Sequence, residues 1–114
     1  MQKEVSELII VGDGIAGYIA AYVCAKLNIQ ALWFAPKNNS LNGAIQVPPN
    51  SIDALKGLGI FKDLKKYLTP ISMIRVRDQF LKQDLSSIDV NNNYFSVARQ
   101  ELLSVIKSSF KKNS

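Results

Sequence analysis

The chain has 114 residues, 47% of them hydrophobic, with 14 basic and 9 acidic side chains for a net charge of +5 at pH 7. That length predicts one small domain, residues 1–114, with a real core, and the apolar share excludes wholesale disorder. One cysteine, Cys24, excludes an intrachain disulfide and suits the reducing cytoplasm, while the absence of histidine removes the commonest metal ligand and general base, so no metal site is expected.

Part of the basic excess is terminal: Lys107, Lys111 and Lys112 read as a solvated helix end. Without interleaved aromatics or a reader motif, the charge predicts no nucleic-acid partner. Residues 8–25 could pass for a signal peptide or a membrane span, but Asp13 and the glycines interrupt them, and "MQKEVSE" before them is not basic. No transmembrane segment is expected; peripheral association with a membrane is left open.

In chain order, "LIIV" within residues 5–11 predicts a buried parallel strand that stops at glycine. Over 15–27, Ile15, Ile19, Tyr22, Val23 and Leu27 recur at helical spacing, with Ala16, Ala20 and Ala21 permitting close approach to a sheet; Asn28 ends the helix. "IQALWFA" follows as a second strand. Strand, glycine turn, helix and strand in this order are one βαβ unit. "PKNNSLNG" reads as a loop, and Asn50 as the cap of a helix from Ser51, with Ile52, Leu55 and Leu58 on one face and Gly57 and Gly59 at its end. A short helix is predicted over 61–68, broken by Pro70. "ISMIRVRD" alternates as a half-exposed strand, and "FLKQDLSSIDV" returns as its partner. Ser96 is predicted to cap a last helix with Val97, Leu102, Leu103, Ile106 and Phe110 as its apolar stripe. The fold class is therefore α/β: a Rossmann-like start of a parallel sheet with a small β-meander. Two parallel strands alone make a poor sheet, so further strands are expected from elsewhere.

The turn "GDGIAG" carries the chemistry. Gly12 permits the tight exit from the strand, Gly14 lets a pyrophosphate approach the backbone, and Gly17 lets the helix pack close to the strand. The helix beginning at Ile15 and Ala16 directs unsatisfied N–H groups and its positive dipole end at such an anion. A glycine turn used only for packing is the other reading. Ala35 is the misfit, standing where a carboxylate usually accepts from the adenosine ribose; its absence weakens binding by about 1–3 kcal/mol without abolishing it. Lys37 either lies along the adenosine and phosphates or is an ordinary exposed lysine.

Residues 43–64, "GAIQVPPNSIDALKGLGIFKDL", resemble a block of the flavin-dependent aromatic hydroxylases of the salicylate and hydroxybenzoate type and their relatives in ubiquinone biosynthesis. Ile45-Gln46, Pro49-Asn50 and the run from Leu55 to Ile60 match in order and spacing, and "YFSVARQELLSVI" is similar to the family's arginine followed by a helix with paired leucines. The resemblance implies an FAD-binding fold in which residues 12–17 hold the FAD pyrophosphate, Gln46 lines the flavin or substrate side, and Arg99 lies near the FAD phosphates. A loop hydrogen bond for Gln46 and a surface position for Arg99 are the plainer alternatives. Ala35 and Ala98 depart from the family, which has an acid at the first position and often a histidine at the second.

The family's second fingerprint, its Gly-Asp motif and most of its substrate domain have no counterpart, so the chain resembles an N-terminal piece of a longer monooxygenase, with residues 71–95 as a β excursion toward the missing substrate domain. What this implies is an FAD-binding portion, inactive alone, of an enzyme that hydroxylates a small aromatic or quinone-precursor ring with NAD(P)H as co-substrate and oxygen. The cofactor carries that chemistry, so no residue here is named catalytic. A non-enzymatic nucleotide-binding module or pseudo-enzyme remnant is the alternative; an NAD-binding dehydrogenase domain is a third reading. An exposed sheet edge also favours a partner chain or a dimer.

Overall fold

The computed structural model describes residues 6–35 and 43–112. In chain order its elements are β1 (Leu8–Val11), α1 (Ile15–Lys26), β2 (Ala31–Phe34), β3 (Ala44–Val47), α2 (Pro49–Gly57), α3 (Phe61–Leu64), a 3-10 turn (Lys65–Tyr67), β4 (Thr69–Arg77), β5 (Asp84–Ala98) and α4 (Arg99–Lys112). The chain is α/β, with one parallel and one antiparallel sheet. Its contacts divide into two compact units, Met1–Gly43 with Arg99–Ser114, and Ala44–Ala98.

In the first unit β1 and β2 pair in parallel, from Leu8↔Ala31 to Val11↔Phe34, with α1 as the crossover. Asn28 ends α1 as the sequence predicts. It adopts a left-handed conformation (φ 55°), which asparagine tolerates better than most residues, and lets Ile29 N–H donate to the Cys24 carbonyl at 2.8 Å. α4 packs along α1. Leu102, Leu103, Val105 and Ile106 are buried, each such side chain contributing about 1.5–3 kcal/mol. The joint is aromatic. Phe110 meets Tyr22 edge-on at 5.4 Å and stacks near-parallel on Trp33 at 6.2 Å, while Tyr18 sets its edge against Trp33 at 4.7 Å. Cys24 is buried and free, a packed small side chain.

The second unit is a three-stranded antiparallel sheet of order β3-β5-β4, with Val47, Ile52, Leu55, Ile60, Leu64 and Val97 as its core. The predicted pairing of the 71–78 and 80–90 segments is present as β4 and β5. Asp78 builds the turn between them, its Oδ1 accepting from the Phe80 and Leu81 N–H groups at 2.8 and 3.0 Å.

Four local expectations change. Residues 44–47, given no element between the predicted loop and helix, form strand β3, whose Val47 is buried. α2 begins at Pro49, not Ser51, because proline at the first helical position has the right φ and no N–H to leave unsatisfied. Pro70 lies inside β4 and is tolerated there because β4 is an edge strand. Ser96 caps no helix: it pairs with Gln46 and with Thr69 in β5, Val97 is a strand residue, and α4 starts at Arg99. At its other end α2 closes as predicted by glycine, with Gly59 at φ 75° and the bonds Gly59 N–H to Lys56 and Ile60 N–H to Leu55.

Candidate functional site

The glycine turn is where two parallel strands and a helix start converge. Val11 pairs with Phe34, so Gly12 and Ala35 follow at the same end of the sheet, and Gly12 N–H donates to the Phe34 carbonyl at 2.7 Å. Gly12 has φ 115°, a conformation that residues with a Cβ rarely adopt. Gly17 is required for another reason, since a Cβ there would collide with the Gly12 carbonyl. Gly14 is required for neither: its φ of −72° and ψ of −171° suit any residue, and a Cβ on it would meet no protein atom within 4 Å.

Gly14 is also the residue before α1, and it has no side chain to cap the helix. No acidic residue lies in the first turn. The Tyr18 N–H closes the first intrahelical bond onto the Gly14 carbonyl at 3.0 Å, which leaves the N–H groups of Ile15, Ala16 and Gly17 as the free donors that start any helix. A helix of twelve residues adds its positive dipole end at the same point. Gly14 and Ala16 are exposed, and Gly12, Ile15 and Gly17 half-buried. The arrangement suits an anion carrying several oxygens.

Ala35 is exposed just beyond β2, with no acceptor to offer a ribose. Lys37 lies outside the described residues. Arg99 opens α4 in the same unit, its N–H donating to the Gly43 carbonyl at 3.0 Å. Its Nε is buried without a hydrogen-bond partner among the described residues, an orphan donor of the kind that a ligand oxygen satisfies.

Helices α1 and α4 run the same way, since the Lys107 ammonium lies over the Tyr18 ring and Phe110, one turn on, meets Tyr22. Arg99 precedes Lys107 by eight residues, about 12 Å of helix, and Gly14 precedes Tyr18 by four, about 6 Å. Arg99 therefore emerges at the glycine-turn end of the helix pair. Gln46 belongs to the second unit, exposed on β3, where its Oε1 accepts from the Tyr94 hydroxyl at 3.3 Å.

Two features escape the sequence reading. Trp33 enters that reading only as one residue of a predicted strand, yet its indole N–H donates to the Gly12 carbonyl at 2.6 Å and so touches the turn itself. The available signal is a lone hydrogen-bond donor among the aliphatic residues of a strand. The second unit also holds an open groove of about 370 Å³ lined in part by Ile52, Lys56, Phe61 and Phe95, which includes none of the predicted site residues. Among the described residues no group of His, Cys, Asp and Glu is gathered to hold a metal, and no helix is long and apolar enough to cross a membrane.

No family model and no curated protein matches the sequence. Solved structures do match the fold. The p-nitrophenol 4-monooxygenase PnpA of Pseudomonas putida DLL-E4 superposes with a TM-score of 0.70 at 16% identity, over 95% of this chain and 29% of that one. PqsL of P. aeruginosa, solved with 2-aminobenzoylacetate, gives 0.73 at 16% identity over 95% of this chain and 31% of that one. HpxO of Klebsiella pneumoniae, solved with FAD and uric acid, gives 0.64 at 21% over 93% and 29%. The chain thus spans about three-tenths of the length of these neighbours, and what it shares with them is the α/β fold of FAD-binding monooxygenases.

Proposed function

We propose that this chain is the FAD-binding, N-terminal part of a flavin-dependent monooxygenase of the aromatic hydroxylase type, acting on an aromatic or quinone-precursor ring with NADH or NADPH and oxygen. The observation that carries the reading is Gly14. Neither its backbone angles nor its protein neighbours require glycine, whereas a diphosphate seated on the α1 N-terminus would occupy the space a Cβ takes. The free N–H groups of Ile15, Ala16 and Gly17 then bind that diphosphate, and the unpartnered Arg99 Nε supplies a charged donor suited to paired phosphate oxygens. Gln46 lies on the flavin or substrate side, and Lys37 on the adenosine side.

The bound flavin supplies the redox chemistry; the residues of this chain bind it, orient it and exclude water. On its own the chain binds cofactor without turnover, and residues 71–95 lead toward the substrate domain of a longer enzyme. Its lone thiol, Cys24, is buried and unpaired, in keeping with a reducing cytoplasm.

Adding FAD to the purified chain is expected to quench flavin fluorescence and raise the melting midpoint. Gly14→Val should lower FAD affinity at least tenfold, about 1.4 kcal/mol, while the fold is retained at a cost of about 1 kcal/mol for the altered cap. Unchanged affinity in that variant would defeat the cradle assignment. The exposed Ala35, which offers no ribose acceptor, favours a second reading, a nucleotide-binding module without redox function. That module binds ADP as tightly as FAD, and a response to NAD alone would instead favour a dehydrogenase domain.

A further inference from the structure

Trp33 is the only tryptophan of the chain, and it sits in β2 opposite Ile10. A strand residue needed only for packing has no use for an indole donor; this one is spent on the Gly12 carbonyl at 2.6 Å. The same carbonyl is the group that a Cβ on Gly17 would strike, so it is directed toward α1 and β2. The ring that holds it is itself held, by Phe110 stacked at 6.2 Å and by the edge of Tyr18 at 4.7 Å. At φ 115°, with only hydrogen on its Cα, Gly12 has the freedom to let the peptide that follows it rotate. In a planar trans peptide, the N–H of Asp13 points opposite to the Gly12 carbonyl. Rotation of that peptide would bring a carbonyl oxygen where an N–H now is, and an anion there would meet repulsion.

We infer that Trp33 is a positioning residue for diphosphate recognition: its indole N–H locks the Gly12 carbonyl inward so that the turn presents only N–H groups to the ligand. This rests on the reading of the glycine turn as a diphosphate cradle. Aromatic packing by α1 and α4 therefore sets the geometry of a turn that belongs to β1.

The test uses the whole chain with FAD and ADP as probes, both carrying the diphosphate. Trp33→Phe keeps an aromatic ring and loses the donor. Its affinity for both probes should fall about threefold to tenfold, the factor carried by one hydrogen bond. Ile106→Ala serves as the stability control, because Ile106 is fully buried in α4 but is not among these rings. It should lower the melting midpoint by as much or more and leave both affinities within twofold.

A second measurement needs no variant of Trp33. ADP absorbs nothing at 295 nm, so its saturation of the native chain should shift the emission of the single indole directly, and Gly14→Val should abolish the shift. Equal affinities in Trp33→Phe and the native chain would overturn the inference, as would ADP binding with unchanged emission. If Trp33→Phe fails to fold, the emission result decides alone. A native chain that binds neither probe defeats the cradle reading and this inference together, an outcome distinct from native binding that Trp33→Phe leaves intact.

Discussion

Of the three glycines in one turn, the structure requires two, Gly12 for its backbone angle and Gly17 to avoid a collision, and the proposed function accounts for the third, Gly14, by an open approach. Only the last points outside the molecule. Ala35 borders the same turn, because the register that puts Val11 beside Phe34 brings Ala35 out next to Gly12. A side chain at position 35 thus starts from the rim of the proposed cradle, and alanine leaves that rim without an acceptor. Ala35→Glu should restore one. The new carboxylate faces water in the free protein, as the exposed alanine does, so its introduction costs little stability. Hydrogen bonds from ribose hydroxyls to a charged acceptor contribute about 1.5–3 kcal/mol, so FAD and ADP should both bind at least tenfold more tightly by calorimetric titration. Riboflavin, which lacks the adenosine, should show no change. Equal affinities for FAD in the two proteins would place the adenosine elsewhere.

At the scale of elements, one side chain of α4 reaches both α1 and β2. Phe110 touches Tyr18, Tyr22 and Trp33, at centroid distances of 6.4, 5.4 and 6.2 Å. Phe110→Ala removes all three contacts and should cost about 3 kcal/mol, toward the lower end for a phenylalanine that is half-buried. The loss is read as a lower denaturant midpoint together with a red-shifted Trp33 emission, since water reaches the face that Phe110 covers. The βαβ start was legible because its signals are local: an apolar run, glycines at fixed spacing, a helical period and a closing asparagine. The β4–β5 hairpin was legible through alternation. The boundaries that failed depend on partners distant in sequence. Residues 44–47 are strand because β5 lies beside them, and Ser96 looks like a cap until its pairing with Gln46 and Thr69 keeps the backbone extended. At the site, the glycines and Ala35 could be read from spacing alone. Trp33 could not, because the carbonyl it meets is 21 residues away and only the fold brings them together.

For the whole molecule, the order of the chain makes one unit an insertion in the other. The chain leaves the first unit after Gly43 and re-enters at Arg99, and the Arg99 N–H to Gly43 carbonyl bond of 3.0 Å closes the gap between departure and return. The second unit is continuous, and the two longest strands of its antiparallel sheet, β4 and β5, are joined by a short turn. The first unit is discontinuous, and among the described residues its sheet has two parallel strands. Such sheets are stable when both faces are covered, yet Ile9, Val11 and Phe34 are 62%, 81% and 56% exposed. A unit that must close a loop of 55 inserted residues (44 to 98) and leaves part of its sheet in water has the smaller margin. The two units should therefore melt in sequence, the first before the second. Trp33 lies in the first unit and is the only tryptophan, so its emission reports that unit alone, whereas the far-ultraviolet circular dichroism sums the helices and strands of both units and completes its transition only when the second has unfolded. In urea, the tryptophan transition should precede the dichroism transition, and FAD should move the first midpoint upward more than the second, because ligand bound to one folded unit stabilises that unit. Coincident midpoints with and without FAD would show that the chain unfolds as one cooperative body, and that the insertion and its host hold each other in place.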